Sequence, residues 1–217
     1  MTELGFLDDG NGNLELANRT FDACSFEHLD IRLRLGKFAI MRNVKFLDCA
    51  TTIGTCIITS GFTLDQVIFS NFDCHGAIHI SSEAKLREVI IEGRRPQSLI
   101  IRPENEEGVF DIPIVDHAQF QVDISRFHGQ VEIVGMRANM VQKDLMRHVG
   151  VKALWIDEVD WQELGIDKFS YWRIILRKLK VFNTTEGVFS LPSRSDEDYV
   201  KTMKEKEVLE GVGLCFE

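Results

Sequence analysis

Six histidines, five cysteines and an excess of carboxylates are the groups in this chain that could do chemistry, and their spacing narrows which chemistry. The densest grouping is Cys74-His75 with His79. On a strand, residues of equal parity share a face, so His75 and His79 would point one way and Cys74 the other, short of the three or four ligands a zinc site needs. His79, between Ile78 and Ile80, reads as an outward polar residue, and no metal ligand is assigned. A second grouping sets Asp111, Asp116 and Asp123 around His117. Carboxylates clustered in a groove are what a polysaccharide lyase or hydrolase needs, and this is the enzymatic alternative. The chain has no G-x-S-x-G elbow, P-loop, G-x-G-x-x-G turn or H-E-x-x-H helix, so no catalytic residue and no cofactor are assigned.

Charge placement is more informative. The run Trp155-Ile156-Asp157-Glu158-Val159-Asp160-Trp161-Gln162-Glu163 carries four carboxylates and no base between and around two tryptophans, and Asp167 follows closely. A second acidic stretch holds Glu104, Glu106 and Glu107. Aromatic side chains supply anchoring area and acids steer association, so these residues together form a candidate surface for a basic partner. The structural alternative is that Trp155 and Trp161 are core residues and that the acids face a basic helix over 168–180.

The positioning elements follow from a different periodicity. The chain has 217 residues, 44% hydrophobic and 27% charged with four prolines, a composition of one globular domain or one domain with an appendage. Its formal charge of -9 argues against direct nucleic-acid binding, which relies on a basic face. Five cysteines without C-x-x-C spacing, behind an N-terminus lacking an apolar leader, point to reduced thiols and a cytoplasmic protein. No run of about 18 apolar residues suggests a membrane span. From Phe21 onward, apolar or small residues recur every fifth position, at Phe21, Phe26, Ile31, Gly36, Met41 and Phe46. A second register runs through Cys24, Leu29, Arg34, Ala39, Val44 and Cys49.

A period of five suits neither helix nor ordinary strand, but it suits a coil whose every side is one short extended segment and a turn. Four such sides make one rung. Cys24-Ser25-Phe26, Val44-Lys45-Phe46, Val67-Ile68-Phe69 and Val89-Ile90-Ile91 then align rung on rung. The runs Ile31-Arg32-Leu33, Cys56-Ile57-Ile58, Ile78-His79-Ile80 and Leu99-Ile100-Ile101 fall between them. Stacked rungs of this kind share one continuous core.

The pattern in Cys24-Ser25-Phe26, Ala39-Ile40-Met41 and Val44-Lys45-Phe46, a small or apolar residue two before a larger one, resembles the pentapeptide-repeat family over residues 19–101. That resemblance implies a right-handed parallel β-helix. The expected fold is therefore mainly β, a solenoid over residues 1–165 with an irregular stretch at 94–118 and a C-terminal helical cap over 166–217. Alternating segments at 120–124, 131–133 and 153–156 predict a last β section. In the cap, Phe169, Trp172, Leu176 and Leu179 predict an amphipathic helix over 168–180 that covers the open end of the solenoid. After a loop, NTTEGVFSLPS, the Ser195-Asp196-Glu197-Asp198 start predicts a second helix to Leu209 with Gly211 as its stop.

The functional expectation is a non-enzymatic acidic protein that docks on and inhibits a basic, toxin-like protein, as an immunity protein does. The family resemblance implies a second possibility, duplex mimicry toward a topoisomerase, which requires a two-fold homodimer with a continuous negative face. The cysteines, set mostly in the small inward slots of the repeat, read as core residues.

Overall fold

The computed structural model describes residues 3–31, 36–54, 56–104 and 118–217. Every apolar position of the repeat has to find the same position of the next rung, and the chain does this by winding as a parallel β-solenoid of about five turns. The first turn holds β1 (Leu7–Asp8), β2 (Leu14–Asp22), β3 (Ser25–Phe26) and β4 (Leu29–Ile31). The second holds β5 (Ala39–Leu47), β6 (Ala50–Thr51) and β7 (Cys56–Ile58), and the third β8 (Phe62–Ser70) and β9 (Ala77–Ser81). Next come β10 (Lys85–Arg87), β11 (Val89–Glu92) and β12 (Ser98–Arg102), then β13 (Val122–Asp123) and β14 (Gln130–Val134). The chain ends with β15 (Val141–Gln142), β16 (His148–Lys152), α1 (Trp155–Glu158), α2 (Tyr171–Val181), β17 (Glu186–Ser190) and α3 (Tyr199–Gly211).

One sheet runs β1-β2-β5-β8-β11-β13-β15, with β10 also on β8; the opposing sheet runs β16-β17-β14-β12-β9-β7-β4. Parallel register places Leu16, Met41 and Leu64 in one inward column and Phe21, Phe46 and Phe69 in another. The Phe46 ring lies 5.2 Å from Phe21 and 5.1 Å from Phe69, nearly parallel to both, and meets Phe26 and Phe72 edge-on. All five rings are buried. Each contributes about 1.5–3 kcal/mol by burial, and the ring contacts add to that.

The five-residue beat is set by the corners. Asn18, Asn43, Gln66 and Glu88 form one column of residues with φ between 51° and 57°, and Ala23, Asp48, Asn71 and Gly93 form the next, five residues later in every turn. A left-handed residue turns the chain without breaking the ladder, and asparagine tolerates that conformation better than most. The columns are laced along their length: Asn43 donates to Asn18 at 2.9 Å, Gln66 to Glu88 at 3.0 Å and Asn71 to Asp48 at 3.1 Å. Gly93 closes the second column because a Cβ there would stand 2.1 Å from Asn71 Oδ1.

The register differs from the sequence expectation at the first turn. Val44-Lys45-Phe46 pairs with Arg19-Thr20-Phe21, whereas Ser25-Phe26 pairs with Ala50-Thr51. That rung therefore spans five beats, not four. A shift by one whole beat keeps every inward slot apolar, so periodicity alone could not choose between the two; the stacked phenylalanines do. The second sheet likewise pairs Leu29-Asp30-Ile31, rather than Ile31-Arg32-Leu33, with Cys56-Ile57-Ile58. From there the expected alignment with Ile78-His79-Ile80 and Leu99-Ile100-Ile101 holds.

In the second sheet the parallel ladder stops at β14, whose free edge is taken by β17 in antiparallel register, and β17 in turn pairs with β16. The sequence suggested a loop here, because Gly187-Val188-Phe189 does not alternate. All three are buried, since Val188 faces the solenoid core while Phe189 faces α2. The strand expected at 153–156 is instead the helical turn α1, and the strand before it is β16. Helix α2 begins three residues later than expected because Ser170 is its N-cap, accepting from the Arg173 amide at 3.4 Å. Its buried stripe is Trp172, Ile175, Leu176 and Leu179, and Phe169 is left outside it, 69% exposed.

That stripe packs on Val134, Phe189, Val149 and Val151. Helix α2 thus covers the outer face of the last three strands of the second sheet rather than the open end of the solenoid. Helix α3 starts at Tyr199, after a turn in which the Asp196 carboxylate accepts from the Ser193 amide at 2.6 Å.

Phe46→Ala should lower unfolding stability by about 3–5 kcal/mol in urea titration, the range for emptying a buried aromatic site. Gly187→Ala places its Cβ 2.5 Å from the Ile133 carbonyl oxygen and 2.8 Å from Leu179 Cδ2. It should cost about 1–3 kcal/mol in the same measurement, because α2 must back away from the sheet.

Candidate functional site

Two surfaces arise where the repeat ends. The first is the acidic segment that begins at α1. Trp155 and Trp161 are each only 6% exposed and belong to the core beneath α2, which corrects the expectation of exposed tryptophans. The Trp155 ring meets Phe216 at 5.1 Å, and the Trp161 indole N–H donates to the Ile156 carbonyl at 3.0 Å. Their burial has a cause: β16 leads straight into a helical turn, and the apolar outer face of the sheet needs large side chains to complete it.

With the tryptophans inward, Asp157, Glu158, Asp160 and Glu163 project outward and are exposed. Asp157 pairs with Lys180 of α2, as the intrachain alternative anticipated. Lys178 pairs with Glu132, and the Arg173 guanidinium lies over the Trp161 ring at 5.7 Å, so the cations of the basic helix are largely committed. Among the described residues no cation pairs with Glu158, Asp160, Glu163 or Asp167. The Asp160 carboxylate accepts from the amides of Gln162 and Glu163, and Asp167 accepts from the Phe169 amide, which holds the segment in a fixed turn. Phe169 and Leu154 are the exposed apolar residues of this ridge.

Glu104 is exposed on a different part of the molecule, beyond β12, where its carboxylate accepts from the Ser60 amide at 2.6 Å. Glu106 and Glu107 lie outside the described residues, as do Asp111, Asp116 and His117 of the lyase alternative. Asp123 is half-buried on β13 and accepts from the Ser125 amide at 2.8 Å. His75 is an exposed corner residue with φ 54°, Cys74 is buried, and His79 stands on the outer face of β9 between Ile57 and Ile100. Among the described residues no three His, Cys, Asp or Glu side chains are grouped to hold a metal. Cys49, Cys56 and Cys74 are buried, and burial pushes the Cys49 and Cys74 thiols up, away from the reactive thiolate.

The second surface was not legible as a motif. A cleft of about 540 Å³ opens between the β13–β14 turn, the β15–β16 turn and the segment after β17. His128, Arg147 and Arg194 line it with Asp144, Met146, Leu191 and Tyr199. Arg147 is held in place from three sides. Its guanidinium donates to the Phe127 carbonyl at 2.8 Å, its amide donates to the Asp144 carbonyl at 3.0 Å, and its own carbonyl accepts from the Leu191 amide at 2.7 Å.

Next to Arg147, His148 is 1% exposed, and neither ring nitrogen has a hydrogen-bond partner among the described residues. Val149 and Val151 face α2, so His148 faces the other side of the sheet, in register with Ser190. Burial and then the Arg147 charge lower its pKa to about 4, with Asp144 opposing and Lys143 assisting.

The chain matches no protein-family model, and searches of curated proteins and of solved structures find no significant match.

The lowered pKa of His148 sets a direction for acid sensitivity. An unfolded histidine takes up a proton near pH 6.5, whereas the folded one stays neutral down to about pH 4. Stability is therefore unaffected by this group above about pH 6.5 and falls as the pH drops toward 4, by up to about 3 kcal/mol. His148→Leu should remove that part of the loss, which urea unfolding of both proteins at about pH 7 and about pH 4.5 will measure.

Proposed function

We propose that this protein is a non-enzymatic binding scaffold that sets an acidic ridge against a basic protein partner and blocks it, in the manner of an immunity protein that occludes a cationic cleft. The observation that carries this reading is the ridge of Glu158, Asp160, Glu163 and Asp167, exposed and without a cationic partner among the described residues. Amides of Gln162, Glu163 and Phe169 donating to the Asp160 and Asp167 carboxylates fix its turn, so little conformational freedom is lost on docking. Unpaired carboxylates on a chain of net charge -9 attract and orient a basic protein over distances of about a Debye length. Phe169, 69% exposed beside Asp167, takes the anchoring role that the buried tryptophans do not fill.

Duplex mimicry fits less well. It calls for a continuous negative face, and the outer column of the first sheet alternates in sign. Arg42 lies 3.6 Å from Glu15 and 3.5 Å from Asp65, and Arg87 binds Asp65 through two contacts of 2.6 and 2.7 Å.

The test compares the wild-type chain with a Glu158→Gln, Asp160→Asn, Glu163→Gln variant and with Phe169→Ala, as baits for basic proteins from its own source. All four residues are exposed, so folding should be unchanged. The triple variant should lose about ten-fold or more in association rate at low salt, and wild-type association should weaken steeply as salt is added. Phe169→Ala should instead speed dissociation. Equal capture by wild type and triple variant, with no salt dependence, would overturn the reading.

A further inference from the structure

The cleft of about 540 Å³ lined by Arg147, Arg194 and His128 shares no residue with the ridge. Its charge runs against that of the chain. The whole protein carries -9, yet two arginines face one aspartate across the lining, and the Asp144 carboxylate already accepts from the Met146 amide at 2.9 Å. Arg147 has one terminal nitrogen tied to the Phe127 carbonyl and its backbone held at both ends. The guanidinium is thereby fixed in one pose, and it has five N–H donors in a planar fork that matches the oxygens of a carboxylate or phosphate. Among the described residues neither Arg147 nor Arg194 is in an ion pair. Ser193 and Tyr199 also line the cleft, while Leu191, Pro192 and Met146 supply an apolar side. The volume of about 540 Å³ lies in the usual range for small-molecule sites.

We propose that this cleft binds a small organic anion, with its carboxylate or phosphate group on Arg147 and Arg194 and its apolar body against Leu191, Pro192 and Met146. The site is independent of the acidic ridge and stands whether or not the ridge meets a basic partner.

Phenyl phosphate titrated into the full-length protein, followed by amide chemical shifts, tests the proposal. Saturable shifts should appear at residues 128–130, 144–147 and 190–194. Arg147→Met and Arg194→Met should each weaken binding by about ten-fold, the loss expected for one charge-assisted contact. Lys45→Gln, an exposed charge change on β5, should leave it unaltered. Arg194 is exposed, so that variant keeps its fold even where Arg147→Met does not. Shifts that never saturate, or both arginine variants binding as tightly as wild type, would overturn the site. Inorganic phosphate binding as tightly as phenyl phosphate would overturn the role of the apolar wall.

Discussion

Stacking of like on like is the constraint from which the rest of this structure follows. In a parallel solenoid every residue sits about 4.8 Å from its counterpart in the next turn, so whatever is good for one turn is repeated along the column. For Phe21, Phe46 and Phe69 repetition is favourable, and their rings lie nearly parallel in the core. At the corners repetition gives ladders of polar side chains, such as Asn18 with Asn43. On the outer face repetition of charge would be costly, and the column Arg42, Asp65 and Arg87 changes sign at every step, with Glu15 reaching Arg42 from the neighbouring column.

A stacked ladder must also stop, because an open edge recruits further strands. Here the stop is made by a strand of opposite direction. β17 takes the edge of β14, β16 follows it, and the Gly150 amide of β16 donates to the Glu217 carbonyl at 2.6 Å. The reversal brings an apolar outer face to the surface, which α2 and the two tryptophans cover. Both candidate surfaces are by-products of that termination. The acidic ridge is the polar side of the turn that buries Trp155 and Trp161, and the cationic cleft lies where the β15–β16 turn meets the chain leaving β17.

The placement of charge within this end region separates two roles. The basic helix spends Lys178 and Lys180 on Glu132 and Asp157, tying sheet, ridge and helix together. Exposed ion pairs of this kind contribute little each, so their effect is to orient α2 more than to stabilise it. The carboxylates left without an ion pair on one surface, and the two arginines in the other, are the groups that the proposed docking and anion binding would use.

The repeat itself was readable from residue types alone, since a five-residue beat of inward slots is a local property and reappears as corner columns five residues apart. So were the mainly β class, the inward placement of Cys49, Cys56 and Cys74 and the existence of two C-terminal helices. The acids of the ridge were also found as a run, although the side to which their tryptophans point was not. Tertiary structure decided what periodicity leaves degenerate. A shift of one beat satisfies the same apolar pattern, so the pairing of Phe21 rather than Phe26 with Phe46 depended on ring stacking and turn closure. A strand buried on both faces shows no alternation, which hid β17. The cleft draws Arg147, Arg194 and His128 from three segments that only the fold brings together, and no local spacing could announce a contact made by closing the end of a solenoid.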